Sequence, residues 1–243
     1  MAPSLFALTG QSNISNSKNP VATIEYASSL GYHTLLDAAA LVPTSVFSLS
    51  DNPVDAMAVS FYKMFGFPTG VGALVVKKSF LAQLKRPWFA GGNVDVVQVP
   101  GTIVTRAHDL HEQFEVVVSC PHPISDHLIS GRQDGTINYL TLPAVTDGLR
   151  FLSAYLPFLP LRLSSLINYL TSSLSLLRHD TTATPVVRIL SRMPGRRLKS
   201  VGGQADTGSI VSLIFLSVSS IPSYLQVIHK LMLVLHIYSL LAR

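Results

Sequence analysis

One lysine sits at the end of an apolar run in Ala56-Met-Ala-Val-Ser-Phe-Tyr-Lys63, and Gly66, Gly70 and Gly72 follow it closely. A lysine amine attacks carbonyls when desolvation or neighbouring cations favour its neutral form. Asp37 closes a second apolar run, and Ser60 offers a hydroxyl three residues before Lys63. An amine, a carboxylate and a hydroxyl of this kind are what pyridoxal phosphate uses. The lysine traps its aldehyde, the carboxylate holds the ring nitrogen protonated, and hydroxyls or amides hold the phosphate. Glycines behind the lysine let the backbone turn tightly. The same residues also fit a plainer arrangement, in which Lys63 snorkels from a strand end and Asp37 caps the next turn. Residue chemistry alone leaves both open.

The elements that would position these groups follow from periodicity. Residues 5–8 read as a short buried strand ending at Thr9-Gly10. Asn19-Pro20 reads as the cap of a helix running to about residue 30, with Val21, Ile24 and Ala27 at helical spacing and Gly31 as the stop. Residues 32–36, 54–61 and 72–76 read as strands, the second closing at the turn 60–63. Helices are expected over 143–156 and 161–177, and further strands over 185–190 and 210–216. Strands alternating with helices indicate an α/β fold with a parallel-rich sheet. Ligands of such sheets collect beyond the carboxyl ends of the strands, where Asp37 and Lys63 are both expected.

Composition narrows the function classes. The chain has 243 residues, 48% hydrophobic and only 13% charged, against about 25% charged in ordinary soluble domains. Either much of it is deeply buried or part of it is not ordinary soluble sequence. A net charge of +5 with basic residues in short clusters, such as Arg192 to Lys199, gives no nucleic-acid platform. The single cysteine, Cys120, excludes an intrachain disulfide. His108 and His111 lack further partners nearby in sequence, so no metal site is expected. The amino terminus lacks the pattern of a signal peptide, which leads us to expect a cytoplasmic protein. Residues 207–229 carry no Asp, Glu, Lys or Arg, long enough for a membrane span. Pro222 and the serines there argue against one.

Three blocks carry a family resemblance: Gln11-Ser-Asn-Ile-Ser-Asn16, Leu35-Leu-Asp-Ala-Ala-Ala-Leu-Val-Pro-Thr44, and Val59-Ser-Phe-Tyr-Lys-Met-Phe-Gly-Phe-Pro-Thr-Gly-Val-Gly-Ala-Leu74. On these blocks the chain resembles the class V aminotransferase group of pyridoxal-phosphate enzymes. Within that group it is most similar to the amino-terminal domain of the molybdenum cofactor sulfurase family. The resemblance implies a fold-type I transferase architecture, with part of a large domain and part of a small one. It implies that Lys63 joins the cofactor aldehyde, that Asp37 partners the pyridinium nitrogen, and that Asn13 lies near the 3-hydroxyl. Ser60 would contact the phosphate, with Tyr62 beside it, and Gly91, Gly92 and Asn93 would form a phosphate-side loop. It further implies L-cysteine as sulfur donor, the molybdenum cofactor as acceptor, and a homodimer building each site across two subunits.

The resemblance also sets expectations about organisation. Residues 1–115 correspond to a partial cofactor-binding large domain, and 134–216 to its end with part of the small domain. Residues 116–133 match nothing in the family pattern and interrupt it as an insert, opening with valine and closing with glutamine as a short retained intron would. Residues 217–243 form an apolar tail outside the pattern. The family's upstream phosphate loop, its ring-stacking aromatic side chain and its sulfur-accepting cysteine have no counterpart here. An incomplete chain with little or no activity is therefore expected; a non-catalytic remnant or interaction protein of the family is the alternative, and a protein anchored to a membrane through the 217–243 tail is a further one.

Overall fold

The computed structural model describes residues 4–85, 94–101, 103–106, 139–195, 197–216 and 232–236. The chain divides into two compact units, one made of Met1–Val75 with Ala144–Arg243, the other of Val76–Pro143.

The first unit begins with β1 (Leu5–Thr9), α1 (Ala22–Ser29), β2 (His33–Asp37), β3 (Ala56–Ser60), α2 (Phe61–Phe65) and β4 (Gly72–Val76). The four strands form one sheet in the order β1-β2-β3-β4. β1, β2 and β3 are mutually parallel, with Thr9 opposite Asp37 and Asp37 opposite Ala58. Neighbouring strands lie about 5 Å apart, so this register brings three strand ends to one edge. The ladder continues past them, with Gly10 N–H donating to Asp37 O at 2.8 Å and Ala38 N–H to Ala58 O at 2.9 Å. Ile24 of α1 packs with Leu36, Ala38, Leu41, Val54 and Met57 to form the core beneath this edge.

Two elements differ from the periodicity reading. The run ending at Phe61 leaves the strand one residue earlier: Ser60 has extended backbone and α2 begins at Phe61. Lys63 therefore stands on a short helix, not on a strand end. Asn19 does not cap α1, whose first flanking residue, Val21, makes no side-chain capping bond. Its amide instead donates to Thr9 O at 2.7 Å, tying the entry of the helix to the end of β1.

The second unit holds α3 (Lys78–Leu81) and a hairpin of antiparallel strands, β5 (Val94–Val97) and β6 (Val104–Arg106). The chain then returns to the first unit through α4 (Pro143–Tyr155) and α5 (Leu159–Leu176), followed by β7 (Val187–Ile189), β8 (Ile210–Phe215) and β9 (Met232–His236). The last three form an antiparallel sheet in the order β7-β8-β9. Ile167 of α5 packs on Val187, Val211 and Leu213 to form its core. Within the apolar tail, β9 pairs with β8 from Met232 opposite Ile214 to His236 opposite Ile210. The proposed insert at 116–133, with Cys120, lies outside the described residues, as do Gly91, Gly92, Asn93, His108 and His111. Among the described residues no helix is long and apolar enough to cross a membrane.

Candidate active site

The short helix α2 owes its orientation to one apolar face. Phe61 and Phe65 stack with ring centroids 6.0 Å apart, the spacing at which i and i+4 side chains meet on a helix. Met64 packs on a cluster made of Leu152 from α4 and Leu159 and Leu163 from α5. The ring of Phe65 occupies the space a side chain at Gly148 of α4 would need. With Phe61, Met64 and Phe65 turned inward, Tyr62 is left exposed and Lys63 half-buried. Gly66, at φ 84°, ends the helix in the left-handed conformation. A Cβ at Gly72 would lie only 2.5 Å from Val59 O, so β4 passes tightly against the end of β3. The hydroxyl of Ser60 makes no capping bond to the helix it precedes.

Lys63 Nζ donates to Asn13 Oδ1 at 3.0 Å, across 50 residues of sequence. Asp37, at the end of the neighbouring strand, is exposed, and its Oδ1 accepts from Ala39 N–H at 3.1 Å. Among the described residues no ion pair joins Asp37 to Lys63. The lysine is held by a neutral amide, and the carboxylate is left open to another partner. Of the residues expected from sequence, Asn13, Asp37, Ser60, Tyr62 and Lys63 all belong to the segments that follow β1, β2 and β3 at one sheet edge.

Asn13 reaches Lys63 from a turn that folds back on itself. Gln11 and Lys18 form a β-bridge, Ser12 N–H donates to Ser17 O at 3.0 Å, and Ser15 N–H donates to Ser12 Oγ at 3.0 Å. The outer side of the turn is bound to residues approaching β8. Ser212 Oγ donates to Ile14 O at 2.7 Å, Arg192 N–H to Ser15 O at 2.7 Å, and Gly208 N–H to Asn16 O at 3.1 Å. Lys18, which the sequence reading did not single out, donates its amine to Ala205 O at 3.0 Å. Burial lowers its pKa from 10.5 to about 8, with the carboxylate of Asp206 opposing part of that fall.

The aminotransferase class-V model matches residues 2–116, which contain every element of this edge. Residues 2–116 are thus an aminotransferase class-V segment. The chain is 33% identical over 201 residues to the molybdenum cofactor sulfurase of Bos taurus, covering 78% of this chain and 21% of the relative. Over a shorter stretch of 107 residues it is 46% identical to the molybdenum cofactor sulfurase of Aspergillus oryzae, covering 41% of this chain and 13% of that one. The chain thus spans about a fifth of the length of the first relative and 13% of the second. Among solved structures, a cysteine desulfurase from Thermococcus onnurineus superposes with a TM-score of 0.60 at 20% identity, over 89% of this chain and 44% of that one. A cysteine desulfurase from Escherichia coli gives 0.55 at 18%, over 87% and 43%. The class-V chain therefore has the α/β fold of the cysteine desulfurases, as the resemblance implied.

Proposed function

We propose that this chain carries the lysine-bearing part of a pyridoxal-phosphate-dependent sulfurtransferase of the molybdenum cofactor sulfurase type. The observation that carries the reading is the pairing of Lys63 with Asn13 beside a separate carboxylate, Asp37, at the ends of adjacent parallel strands. The donor set fits pyridoxal phosphate. Lys63 would bind its aldehyde, Asp37 its protonated ring nitrogen, and Asn13 the neighbouring ring hydroxyl. Ser60, whose hydroxyl is not spent on capping α2, would take the phosphate, with Tyr62 beside it. When bound, the ring supplies an electron sink for bond cleavage at the substrate.

The residues of the chain have distinct tasks in this scheme. Asp37 is exposed at the strand end, so a cationic ring nitrogen would gain a charge-assisted hydrogen bond there. Asn13 holds the Lys63 amine in place through its Oδ1, and rotation of its amide can present a donor once that amine is engaged. The rigid packing of Phe61, Met64 and Phe65 keeps the amine aimed from α2. L-cysteine is the sulfur donor in this reading, the molybdenum cofactor the acceptor, and a homodimer the working unit.

Titration with pyridoxal phosphate tests the proposal. The expected result is a visible absorbance band that borohydride converts into a covalent adduct at Lys63, and its loss in Lys63→Ala. A colourless protein with no adduct would sink the reading. A second reading, cofactor binding without turnover, is favoured by one observation: Cys120 is the only cysteine of the sequence and lies outside residues 2–116 that the class-V model matches. Cysteine-dependent sulfide release separates the two, and little or none is expected from this chain.

A further inference from the structure

We infer that Asn16, which no part of the site reading uses, is the positioning residue that sets the Asn13–Lys63 pair by bolting their turn to strand β8. Asn16 is buried to 1% exposure and sits at φ 62°, a left-handed conformation that asparagine tolerates better than other side chains. Its side chain is engaged at both ends. Oδ1 accepts from Ile210 N–H at 3.1 Å, and Nδ2 donates to Arg192 O at 3.4 Å. Its carbonyl accepts from Gly208 N–H at 3.1 Å.

These three bonds cross 176 to 194 residues of sequence. Ile210 is fully buried at the start of β8, so its N–H would be left unpaired in the core without Asn16, a cost of about 1–3 kcal/mol by general experience. The turn is thus pinned at Ile14, Ser15 and Asn16, while Asn13 alone points the other way, at Lys63. A glycine at 16 would adopt the same backbone but make neither side-chain bond. The position therefore needs more than a left-handed residue: it needs a side chain that reaches Ile210 and Arg192 together. The functional meaning of this bolt rests on the reading of Lys63 as the cofactor-binding amine; its physical claim does not.

The test is competitive labelling of amines with trace acetic anhydride, read residue by residue by mass spectrometry, without any cofactor. Loss of the Asn13 acceptor frees the Lys63 amine, so Asn13→Ala raises its labelling by about two- to fivefold, the equivalent of one modest hydrogen bond. Asn16→Gly is expected to raise Lys63 labelling by the same factor, the double variant no further, with exposed Lys85 unchanged. Asn16→Asp, which retains the acceptor for Ile210, is expected to stay nearer to the parent chain. Lys63 labelling unaltered in Asn16→Gly, or raised together with that of Lys85, overturns the proposal. If the glycine variant does not fold, amide exchange in the parent chain decides: Ile210 N–H must exchange as slowly as Val211 and Leu213, and fast exchange overturns the bolt. Failure of the parent chain to bind pyridoxal phosphate, with the labelling pattern intact, removes only the functional reading.

Discussion

Asp37 uses one carboxylate oxygen to hold the N–H of Ala39, and its second makes no hydrogen bond among the described residues. The side chain is exposed, so a charge on it avoids the cost that burial would impose. Asp37→Asn preserves the shape and an acceptor for Ala39 but removes that charge. Loss of one charge-assisted bond, about 1.5–3 kcal/mol, should weaken pyridoxal phosphate binding by at least about tenfold in an absorbance titration. Urea unfolding of the free protein should move by less than about 0.5 kcal/mol, as for other exposed substitutions. A large stability loss with unchanged binding would instead make Asp37 a turn-capping residue. At this scale much was legible: Lys63, Asp37 and Ser60 stand out because each ends an apolar run. Asn16 and Lys18 did not stand out. Their roles depend on Ile210, Arg192 and Ala205, which the chain brings in from far along its length.

The helix α2 is the element on which the site turns, and it is the element that sequence periodicity misread. Ser-Phe-Tyr-Lys-Met-Phe continues the apolar character of β3, and a run this short does not distinguish strand from helix. Packing made the decision, because a helical turn places Met64 and Phe65 against α4 and α5, with Phe61 stacked on Phe65. Gly148 is the receiving surface, since the Phe65 ring lies where its Cβ would be. Gly148→Ala raises the helix propensity of α4 by about 1 kcal/mol, yet the clash should dominate and destabilise the protein by about 1–3 kcal/mol, as overpacking does. Denaturant unfolding checks the sign. A stabilised variant would show that Phe65 is not seated on α4. The same shift of α2 should lower the yield of cofactor adduct at Lys63. Asn19 teaches a similar lesson: its residue type suits a helix cap, but Thr9 O competes for its amide and wins.

Across the first unit, the turn at 11–19 is where the parallel sheet and the β7-β8-β9 sheet are joined. Lys18 is the ionisable group at that junction. Its amine donates to Ala205 O, and the charge nearest to it is Asp206, itself paired with Arg192 at 3.0 Å. Burial places its folded pKa near 8, below the unfolded value of 10.5. Between these values the unfolded chain holds a proton that the folded chain has released, so stability rises with pH across this window. Below about pH 8 both states are protonated and the penalty of the buried charge is fully present. The difference in urea midpoint between the parent chain and Lys18→Met should therefore change progressively from pH 8 to 10.5, with Lys18→Met relatively more stable at the lower end. A pH-independent difference would mean that the amine is solvated in the fold.

Sequence by itself marked out Asp37, Ser60 and Lys63 and the class-V likeness of residues 2–116. Alternation of apolar runs with glycine and polar punctuation is a local property, and Ser-Phe-Tyr-Lys with Leu-Leu-Asp-Ala-Ala-Ala are local words that carried the resemblance. Only the tertiary structure decided that Lys63 meets Asn13, that α2 is a helix, that Asn16 is buried and that Lys18 is half-buried. Each of those outcomes is set by a partner 50 to 194 residues away or by the packing of α4 and α5 on Met64 and Phe65. Hydrogen bonds and van der Waals contacts act over a few ångströms of space, whatever the distance along the chain.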